Sequence, residues 1–242
     1  ERRRLTKLGQ DCPTCWDDPE FGFCDEVDPL KCTAVCPMAR KLGVVGLVSF
    51  MADAIGSDRD DVHLVTLVDP RWLREIGDLA SFDVGKAKQV VANRFNKLDA
   101  RGFVAVGGFE ATVNIEMDGS SHWAPHIHLV VAGATAEALH ETFMPPDAAR
   151  RSRSVLRPVW VVRVSGLIGA LCYALKGEGG RRTAYRTDDG KVGRRDQRLI
   201  GEHAVEYAAW QKAHRLEQLL TWHGIRRDGG RMRVVTKNRP AT

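Results

Sequence analysis

The stretch that decides the fold lies in the middle of the chain and reads Trp123-Ala124-Pro125-His126-Ile127-His128-Leu129-Val130-Val131. Side chains alternate across a β-strand, so the two histidines point to one face and the apolar residues between and after them point to the other. Two imidazoles on one face can share a metal ion, while the apolar face packs on a core. The alternative is a strand that carries a surface pair of histidines.

A second strand precedes the histidine strand. Residues 108–117 alternate between apolar and polar side chains, as is typical of a half-buried strand, and residues 118–121 supply turn-forming Asp, Gly and Ser. Opposed residues of an antiparallel pair share a face. The two polar faces therefore coincide only if the connecting loop has an odd number of residues.

The position of that loop sets the expected pairing of the polar residues. A loop centred on Gly119 places Glu110 opposite His128 and Thr112 opposite His126. Glu110, His126 and His128 would then form a site of two imidazoles and one carboxylate, with open positions for substrate. Such mixed nitrogen and oxygen ligands suit Mg²⁺, Mn²⁺ or another first-row ion. In the competing interpretation, Glu110 is a solvated strand residue.

Five of the six cysteines lie within the first 36 residues, and two close pairs flank residues 16–31. This spacing fits a structural zinc ion held by four thiolates, which would order a segment too polar to fold by packing alone. The alternative is a set of reduced thiols without metal. The preferred zinc ligands are Cys12, Cys15, Cys32 and Cys36, and Cys24 can replace one of them.

The chain carries 36 basic and 31 acidic residues, a net charge of +5, and much of the excess is clustered. Such clusters attract a polyanion such as nucleic acid, although each cluster alone also fits a solvated loop. No apolar run approaches the ~18 residues of a membrane span, and the charged start lacks a signal-peptide pattern. The expected DNA contacts are Arg150, Arg151, Arg153, Arg181, Arg182, Arg194 and Arg195.

Periodicity and capping residues predict the remaining elements. Residues 44–54 fit either a short helix or a buried strand, and the Gly- and Arg-rich residues 177–195 fit a mobile basic loop. Helices are predicted over 71–79, 83–102, 134–143, 165–176 and 196–223, and strands over 62–68, 155–164 and 232–237.

The predicted helix 165–176 carries a Tyr-x-x-Lys pair. Tyr173 and Lys176 are three residues apart and therefore adjacent on the helix surface. Gly166 and Gly169 lie on the same side and leave room for another molecule to approach the tyrosine. The simpler interpretation makes Tyr173 an amphipathic side chain at the edge of a helix.

Four segments in order, Thr66-Leu67-Val68, Phe-Glu-Ala-Thr-Val-Asn (109–114), Pro-His-Ile-His (125–128) and Tyr-Ala-Leu-Lys (173–176), span roughly residues 60–180. In this order they resemble the HUH endonucleases, in particular rolling-circle replication initiators of bacterial plasmids. The resemblance implies an α+β fold with a central antiparallel sheet flanked by helices, of the RRM or ferredoxin-like kind. We expect a cysteine-rich zinc-binding segment at 1–40, the endonuclease domain at 41–225 and a C-terminal tail at 226–242.

The resemblance also implies roles for individual residues. His126, His128 and Glu110 would bind the catalytic Mg²⁺ or Mn²⁺, Tyr173 would be the nucleophile and Lys176 a phosphate-side cation. The implied activity is sequence-specific nicking and strand transfer of single-stranded DNA through a 5′-phosphotyrosine, which initiates rolling-circle replication. The implied partners are single-stranded or extruded DNA at an origin and a host helicase, in the bacterial cytoplasm near the nucleoid or a plasmid.

One departure from the family and three alternatives remain open. Some plasmid initiators carry a glutamate one helical turn before the tyrosine, which activates water at termination, whereas this chain has Gly169 there. The sequence therefore predicts a single-tyrosine enzyme whose termination step is open. Zinc-binding segments also occur in related single-strand transposases, so a transposase or relaxase remains an alternative. A non-enzymatic zinc-containing nucleic-acid-binding protein and a hydrolase without a covalent step are the others.

Overall fold

The structure is a computed structural model that describes residues 28–56, 59–98, 102–146, 155, 157–228 and 231–235. These residues form a mixed α+β fold, in which helices flank a large, mainly antiparallel sheet, as the sequence predicts. No helix among them has the length and apolar character needed to cross a membrane. The helices are α1 (Pro37–Ile55), α2 (Val84–Lys97), α3 (Ala136–Phe143), α4 (Leu167–Leu175), α5 (Gly201–Lys212) and α6 (Leu216–Leu219).

The main sheet has the strand order β5-β1-β4-β3-β6-β7, with β2 added to β4 and β8 added to β3. The histidine strand β4 lies in the middle, antiparallel to β1 and β3, and the pairing of β3 with β6 is parallel. The strands are β1 (Val62–Leu67), β2 (Arg74–Glu75), β3 (Val104–Ile115), β4 (Ser121–Ala132), β5 (Val159–Arg163), β6 (Gly180–Arg186), β7 (Val192–Arg198) and β8 (Leu220–His223), while β9 (Ile225–Asp228) and β10 (Arg231–Val234) form a separate hairpin.

The turn between β3 and β4 determines which residues of the two strands face each other. The amide of Gly119 donates to the carbonyl of Glu116, and the amide of Glu116 donates to the carbonyl of Ser120. Gly119 has φ of 82°, so the loop is a tight turn closed by a left-handed residue. The loop has an odd number of residues, as predicted, but its centre is Asp118 and not Gly119.

The sheet face opposite the histidines carries the aromatic core. Phe109 of β3 packs against Trp72 and Phe82 at ring-centroid distances of 5.8 and 6.1 Å, and Phe82 also contacts Trp210 of α5. Trp123 and Ile127 of β4 are fully buried on the same face. Burial of this face gives β3 and β4 a rigid position, which fixes the side chains on the other face.

Three predictions of secondary structure are wrong. Two of them concern the β6–β7 hairpin and the residues that follow it. Residues 177–195 are not a loop, because β6 and β7 pair in register and Arg182 bonds Asp196 across the strands. Residues 196–223 are not one helix. They contain the end of β7, the helices α5 and α6, and β8, whose apolar residues pair with β3.

The third wrong prediction is the helix over 71–79. Asp69 caps a short 3-10 turn at Pro70–Trp72, and the chain then extends as β2 to pair with β4. Residues 44–54, which the sequence left open, lie within helix α1. Leu30 and Ala34 pack on the main core, and α1 continues across residue 40, the expected boundary of the cysteine-rich segment.

A buried ion-pair network holds the ends of β1, α2 and α3 together. The carboxylate of Asp69 is fully buried and accepts hydrogen bonds from Arg71 at 2.5 and 2.8 Å and from Arg94 at 3.3 Å. Arg94 also donates to the Phe143 carbonyl at 2.6 Å. Burial disfavours the ionised form, but hydrogen bonds from Arg71 and the positive charges of both arginines outweigh it and lower the pKa of Asp69.

We predict that Asp69→Asn lowers the free energy of unfolding by about 3 kcal/mol, because the buried Arg94 charge loses its partner. Since the folded-state pKa of Asp69 is lowered, its contribution is complete above about pH 4 and is lost as the pH falls through that lowered value. Urea unfolding at several pH values measures both effects. The control Asp53→Asn changes an exposed carboxylate and should alter stability by less than about 0.5 kcal/mol. Equal losses in the two variants would contradict the role of Asp69.

Candidate metal centre and tyrosine site

Glu110 and the two histidines converge on one face of the sheet. Glu110 is paired with His126, while His128 is paired with Gly108. The predicted pairs, Glu110 with His128 and Thr112 with His126, are wrong by two residues, because the turn is centred one residue earlier than expected. A shift of two residues keeps the same face, so the predicted convergence of the three side chains is confirmed.

The three side chains form a compact, buried group of ligand atoms. Oε1 of Glu110 lies 3.0 Å from Nε2 of His126 and 3.0 Å from Nε2 of His128. Their donor atoms all lie within 4.8 Å of one another, and no residue of the three is more than 4% exposed. This group could bind a metal ion.

The hydrogen bonding of His126 favours a cation at this position. Its Nδ1 lies 2.9 Å from the carbonyl oxygen of Ala124, which can only accept, so Nδ1 carries the hydrogen. When Nε2 carries no second proton, it presents a lone pair toward the carboxylate oxygen of Glu110. Two lone-pair atoms 3.0 Å apart repel unless a proton or a metal ion lies between them. The donor set therefore fits a shared divalent cation.

His128 is oriented by a hydroxyl from the neighbouring strand. Its Nδ1 lies 2.8 Å from Oγ1 of Thr66 in β1, which leaves Nε2 directed at Glu110. Burial lowers the pKa of His128 to about 4, although the carboxylate of Glu110 opposes that shift. His128 is therefore a neutral imidazole at neutral pH, the form that binds metals. Outer partners such as Thr66 fix the ring of a ligating histidine.

The carboxylate of Glu110 is ionised despite its burial. Burial raises its pKa, but hydrogen bonds from His126 and His128 and their charges lower it further, so the net pKa lies well below the usual range. The centre therefore contains an ionised carboxylate within 3.0 Å of an imidazole nitrogen of each histidine. The centre is thus electrostatically prepared for a cation.

Tyr173 of α4 and Lys176, the residue that directly follows α4, lie against this centre. The ring of Tyr173 is 4.6 Å from the ring of His128, measured between centroids. Nζ of Lys176 is 4.3 Å from the Tyr173 centroid and 3.4 Å from Oε1 of Glu110. Tyr173 is 38% exposed, so its phenol is accessible from solvent. The structure brings together all five residues that the sequence predicted for the catalytic site.

The close approach of α4 depends on a glycine in β3. A Cβ at Gly108 would lie 3.2 Å from the carbonyl oxygen of Ala174, so a larger side chain would push the helix away from the sheet. The far end of α4 is held by Tyr207 and Gln211 of α5, which both donate to the Gly177 carbonyl at 2.8 Å. Arg40 of α1 donates to the Lys176 carbonyl. These contacts position the tyrosine helix over the metal centre.

Of the three tyrosines in the chain, Tyr173 alone is both accessible and adjacent to the metal centre. Tyr207 is buried and donates its hydroxyl to Gly177, and its burial raises its pKa. Tyr185 lies on the β6–β7 hairpin with its ring against Gly193. Neither of these two is placed to react at the centre.

The β6–β7 hairpin carries four of the predicted DNA-contacting arginines. Arg182 pairs with Asp196, and Arg194 makes two contacts of 3.0 Å with the carboxylate of Glu116. Arg181 bonds the neutral Gln197, and Arg195 lies over the ring of Tyr185. Arg181 and Arg195 therefore contact uncharged neighbours, and they are more available to bind phosphate than Arg182 and Arg194, which contact carboxylates. The predicted contacts Arg150, Arg151 and Arg153 lie outside the described residues.

Two of the predicted zinc ligands are described. Cys32 and Cys36 are buried beside Met38 and Ala39, and Sγ of Cys36 accepts the amide of Ala39 at the start of α1. The other predicted ligands, Cys12, Cys15 and the substitute Cys24, lie outside the described residues. The structural zinc site stays a prediction.

Thr66, Gly108 and Arg40 contribute to the site but were not identified from the sequence. Thr66 lies in a strand that reads as an ordinary buried segment, and its partner His128 is 62 residues away. The glycine pair Gly107-Gly108 inside a strand was the one available signal, because glycine in a strand often marks a close approach. Arg40 gave no local signal.

The chain matches no protein-family model, no curated protein and no solved structure. Its function must therefore be argued from the geometry of the site and from the resemblance of its motifs.

We predict that the protein binds one Mn²⁺ and that Glu110→Gln weakens this binding by at least about tenfold, because loss of an outer partner alone has that effect in other metal sites. Isothermal titration calorimetry at neutral pH measures the affinity. His140→Ala removes an exposed histidine of α3 and serves as the control, with unchanged binding expected. If Glu110→Gln bound Mn²⁺ as tightly as the unaltered chain, Glu110 would not be a ligand.

We further predict that Thr66→Val lowers Mn²⁺ affinity about 10- to 100-fold, because His128 loses the hydroxyl that orients its ring. Valine has the shape of threonine, so the strand should remain intact. Thr183→Val on the exposed hairpin is the matched control and should have no effect on the titration. An unchanged affinity in Thr66→Val would mean that His128 is oriented by the strand alone.

Proposed function

We propose that this protein is a metal-dependent nickase and strand-transferase of single-stranded DNA, which cuts through a 5′-phosphotyrosine and initiates rolling-circle replication. The observation that carries the proposal is the contact of the accessible Tyr173 phenol with His128, at 4.6 Å between rings, beside a buried Glu-His-His group. An exposed candidate nucleophile and a buried candidate metal site, carried on separate elements, thereby lie next to each other. That combination suits transfer of a phosphoryl group to a side chain.

The order of elements supports placing the protein with the HUH endonucleases. When the two-residue strand β2 is left aside, the succession β1-α2-β3-β4-α3-β5 resembles the β-α-β-β-α-β arrangement of ferredoxin-like folds, and its strands lie in the order β5-β1-β4-β3. The two histidines lie on one of its central strands, and the tyrosine helix follows its last strand. The resemblance of the motifs and this arrangement point to the same family.

Glu110, His126 and His128 would hold the ion, which we propose is Mg²⁺ or Mn²⁺. When bound, such an ion supplies a Lewis acid for the negative charge that develops on the nonbridging phosphate oxygens. Glu110 contributes an oxygen ligand, which hard divalent ions prefer, and the two imidazoles favour Mn²⁺ among them. The ring of Tyr173 lies beside the group, 4.6 Å from the ring of His128.

The proposed reaction conserves the energy of the phosphodiester. The phenol oxygen of Tyr173 forms a bond to phosphorus and gives up its proton, while the bond from phosphorus to the 3′ oxygen breaks and that oxygen is released as a hydroxyl. The DNA is left joined to Tyr173 through its 5′ phosphate. A 3′ hydroxyl can later attack the same phosphorus and reverse the step, which rejoins a strand.

Lys176 has two roles in this proposal. Its ammonium group lies over the face of the Tyr173 ring and within 3.4 Å of Glu110, so it can stabilise a phenolate and then the phosphate that approaches it. Its helix is fixed by contacts from α1 and α5, which limits the movement of both side chains. The arginines of the β6–β7 hairpin would hold the DNA backbone farther along.

We predict that Tyr173→Phe abolishes the covalent protein–DNA adduct while DNA binding persists, because the substitution removes the attacking oxygen and keeps the ring. A denaturing gel after incubation with labelled single-stranded DNA and Mn²⁺ detects the adduct, and chelation of the ion should prevent it. Tyr185→Phe, an exposed tyrosine on the hairpin, is the matched control and should form the adduct normally.

The same gel separates the alternatives. An adduct that survives Tyr173→Phe would remove Tyr173 from its role. Metal-dependent cleavage without any adduct would indicate a hydrolase, and tight binding without cleavage would indicate a non-enzymatic nucleic-acid-binding protein. Joining of the cut strand to a second, unrelated strand would distinguish a transposase from a replication initiator.

A further inference from the structure

Trp160 of β5 is an exposed tryptophan whose role the proposed reaction does not explain. It is 53% exposed, whereas the described residues Trp72, Trp123 and Trp210 are at most 6% exposed. Trp160 is not among the hydrophobic side chains that form or contact the core. A large aromatic side chain in this position gains little from folding, and exposed aromatic rings are enriched at binding surfaces.

The strand register places Trp160 on the same face as the metal centre. Trp160 is paired with Thr66 of β1, and Thr66 is paired with His128 of β4. Directly opposed residues share a face, and neighbouring strands lie about 4.8 Å apart. Trp160 is therefore two strands from His128, at a backbone separation of roughly 10 Å.

The position of the tryptophan is fixed by its own strand. Val159 is buried and Val161 packs against the core, so alternate residues anchor β5 from the opposite face. Thr66, the partner of Trp160, is itself bonded to His128. The indole is thus attached to the same rigid strands as the candidate metal ligands, with its ring free to meet another molecule.

We propose that Trp160 is a stacking platform for a base of the single-stranded DNA, at a nucleotide close to the bond that Tyr173 cuts. This inference rests on the proposed function, which supplies the strand at the metal centre. Aromatic side chains bind single strands by stacking on bases, whichever base is present. A strand that crosses from the centre toward the edge of the sheet reaches Trp160 after the Tyr173 site.

The charge around Trp160 favours a polyanion over an apolar protein segment. Arg157 lies before β5 and Arg163 lies at its end, and both are exposed. Arg163 is 3.6 Å from Asp60, an exposed contact of little strength. Arg163 starts on the face of β5 opposite Trp160. Because β5 is at the edge of the sheet, the long side chains of Arg157 and Arg163 can still reach the phosphates of a strand whose base stacks on the indole.

The test measures binding of a labelled thymidine homopolymer by fluorescence anisotropy, in a Tyr173→Phe background that prevents covalent capture. Trp160→Leu should weaken binding roughly 5- to 150-fold, the loss expected for one stacked base, whereas Trp160→Phe should retain most of the affinity. Val205→Ala, at a 71% exposed apolar residue of α5, is the control and should bind normally. If the leucine variant misfolds by its unfolding midpoint, Trp160→Thr repeats the comparison on a residue suited to an exposed strand.

A second readout uses the tryptophan itself. The single strand should quench part of the intrinsic fluorescence, and Trp160→Phe should remove that part. Acrylamide should quench the same part before DNA is added, because the indole is exposed.

Specific outcomes overturn the platform or leave it standing. Equal binding by Trp160→Leu and the unaltered chain overturns it, as does an indole that acrylamide cannot reach in the free protein. If the unaltered chain forms the adduct and substitution of Trp160 does not change DNA binding, the platform is rejected and the nickase is kept. Trp160-dependent binding by a chain that never forms an adduct keeps the platform and rejects the nickase.

Discussion

The rest of the structure depends on one electrostatic constraint, the facing of His126 Nε2 and Glu110 Oε1 across 3.0 Å. Because the Ala124 carbonyl commits the Nδ1 hydrogen, these two atoms repel unless a cation joins them. His128 approaches the same oxygen and is neutral at physiological pH, since burial lowers its pKa to about 4. The fold thus holds three candidate ligand atoms within 4.8 Å of one another, where a proton or a divalent ion can join them.

The position of the tyrosine follows from contacts made by residues that are not candidate metal ligands. Gly108 lets α4 approach the sheet, and the carbonyls of Lys176 and Gly177 receive hydrogen bonds from α1 and α5. Residues that look structural in the sequence therefore determine whether the phenol lies beside the candidate metal ligands. Helix α4 is short and carries none of the three candidate metal ligands, so its position over the sheet depends on these neighbouring residues.

Local patterns predicted which residues come together at the candidate site better than they predicted its surroundings. The histidine strand, the Glu110 strand and the Asp83-capped helix have strong alternation or capping signals, and the structure has all three. The predicted register was wrong because Gly119 takes the left-handed position of the turn without being its centre, which is Asp118. The hairpin Gly180–Arg198 was not predicted, because its strands are stabilised by polar pairs between them and by pairing with β3. No local sequence pattern reveals these contacts. Thr66 could not be found because its role exists only after β1 pairs with β4.

The most direct test of the central claim is a crystal structure of the protein grown with Mn²⁺, with anomalous diffraction used to locate the ion. The account predicts one anomalous peak bonded to the Glu110 carboxylate and to Nε2 of both His126 and His128, with the Tyr173 hydroxyl facing its open side. A crystal with Mn²⁺ at other residues and none at these three, or with the Tyr173 ring turned away from His128, would contradict it.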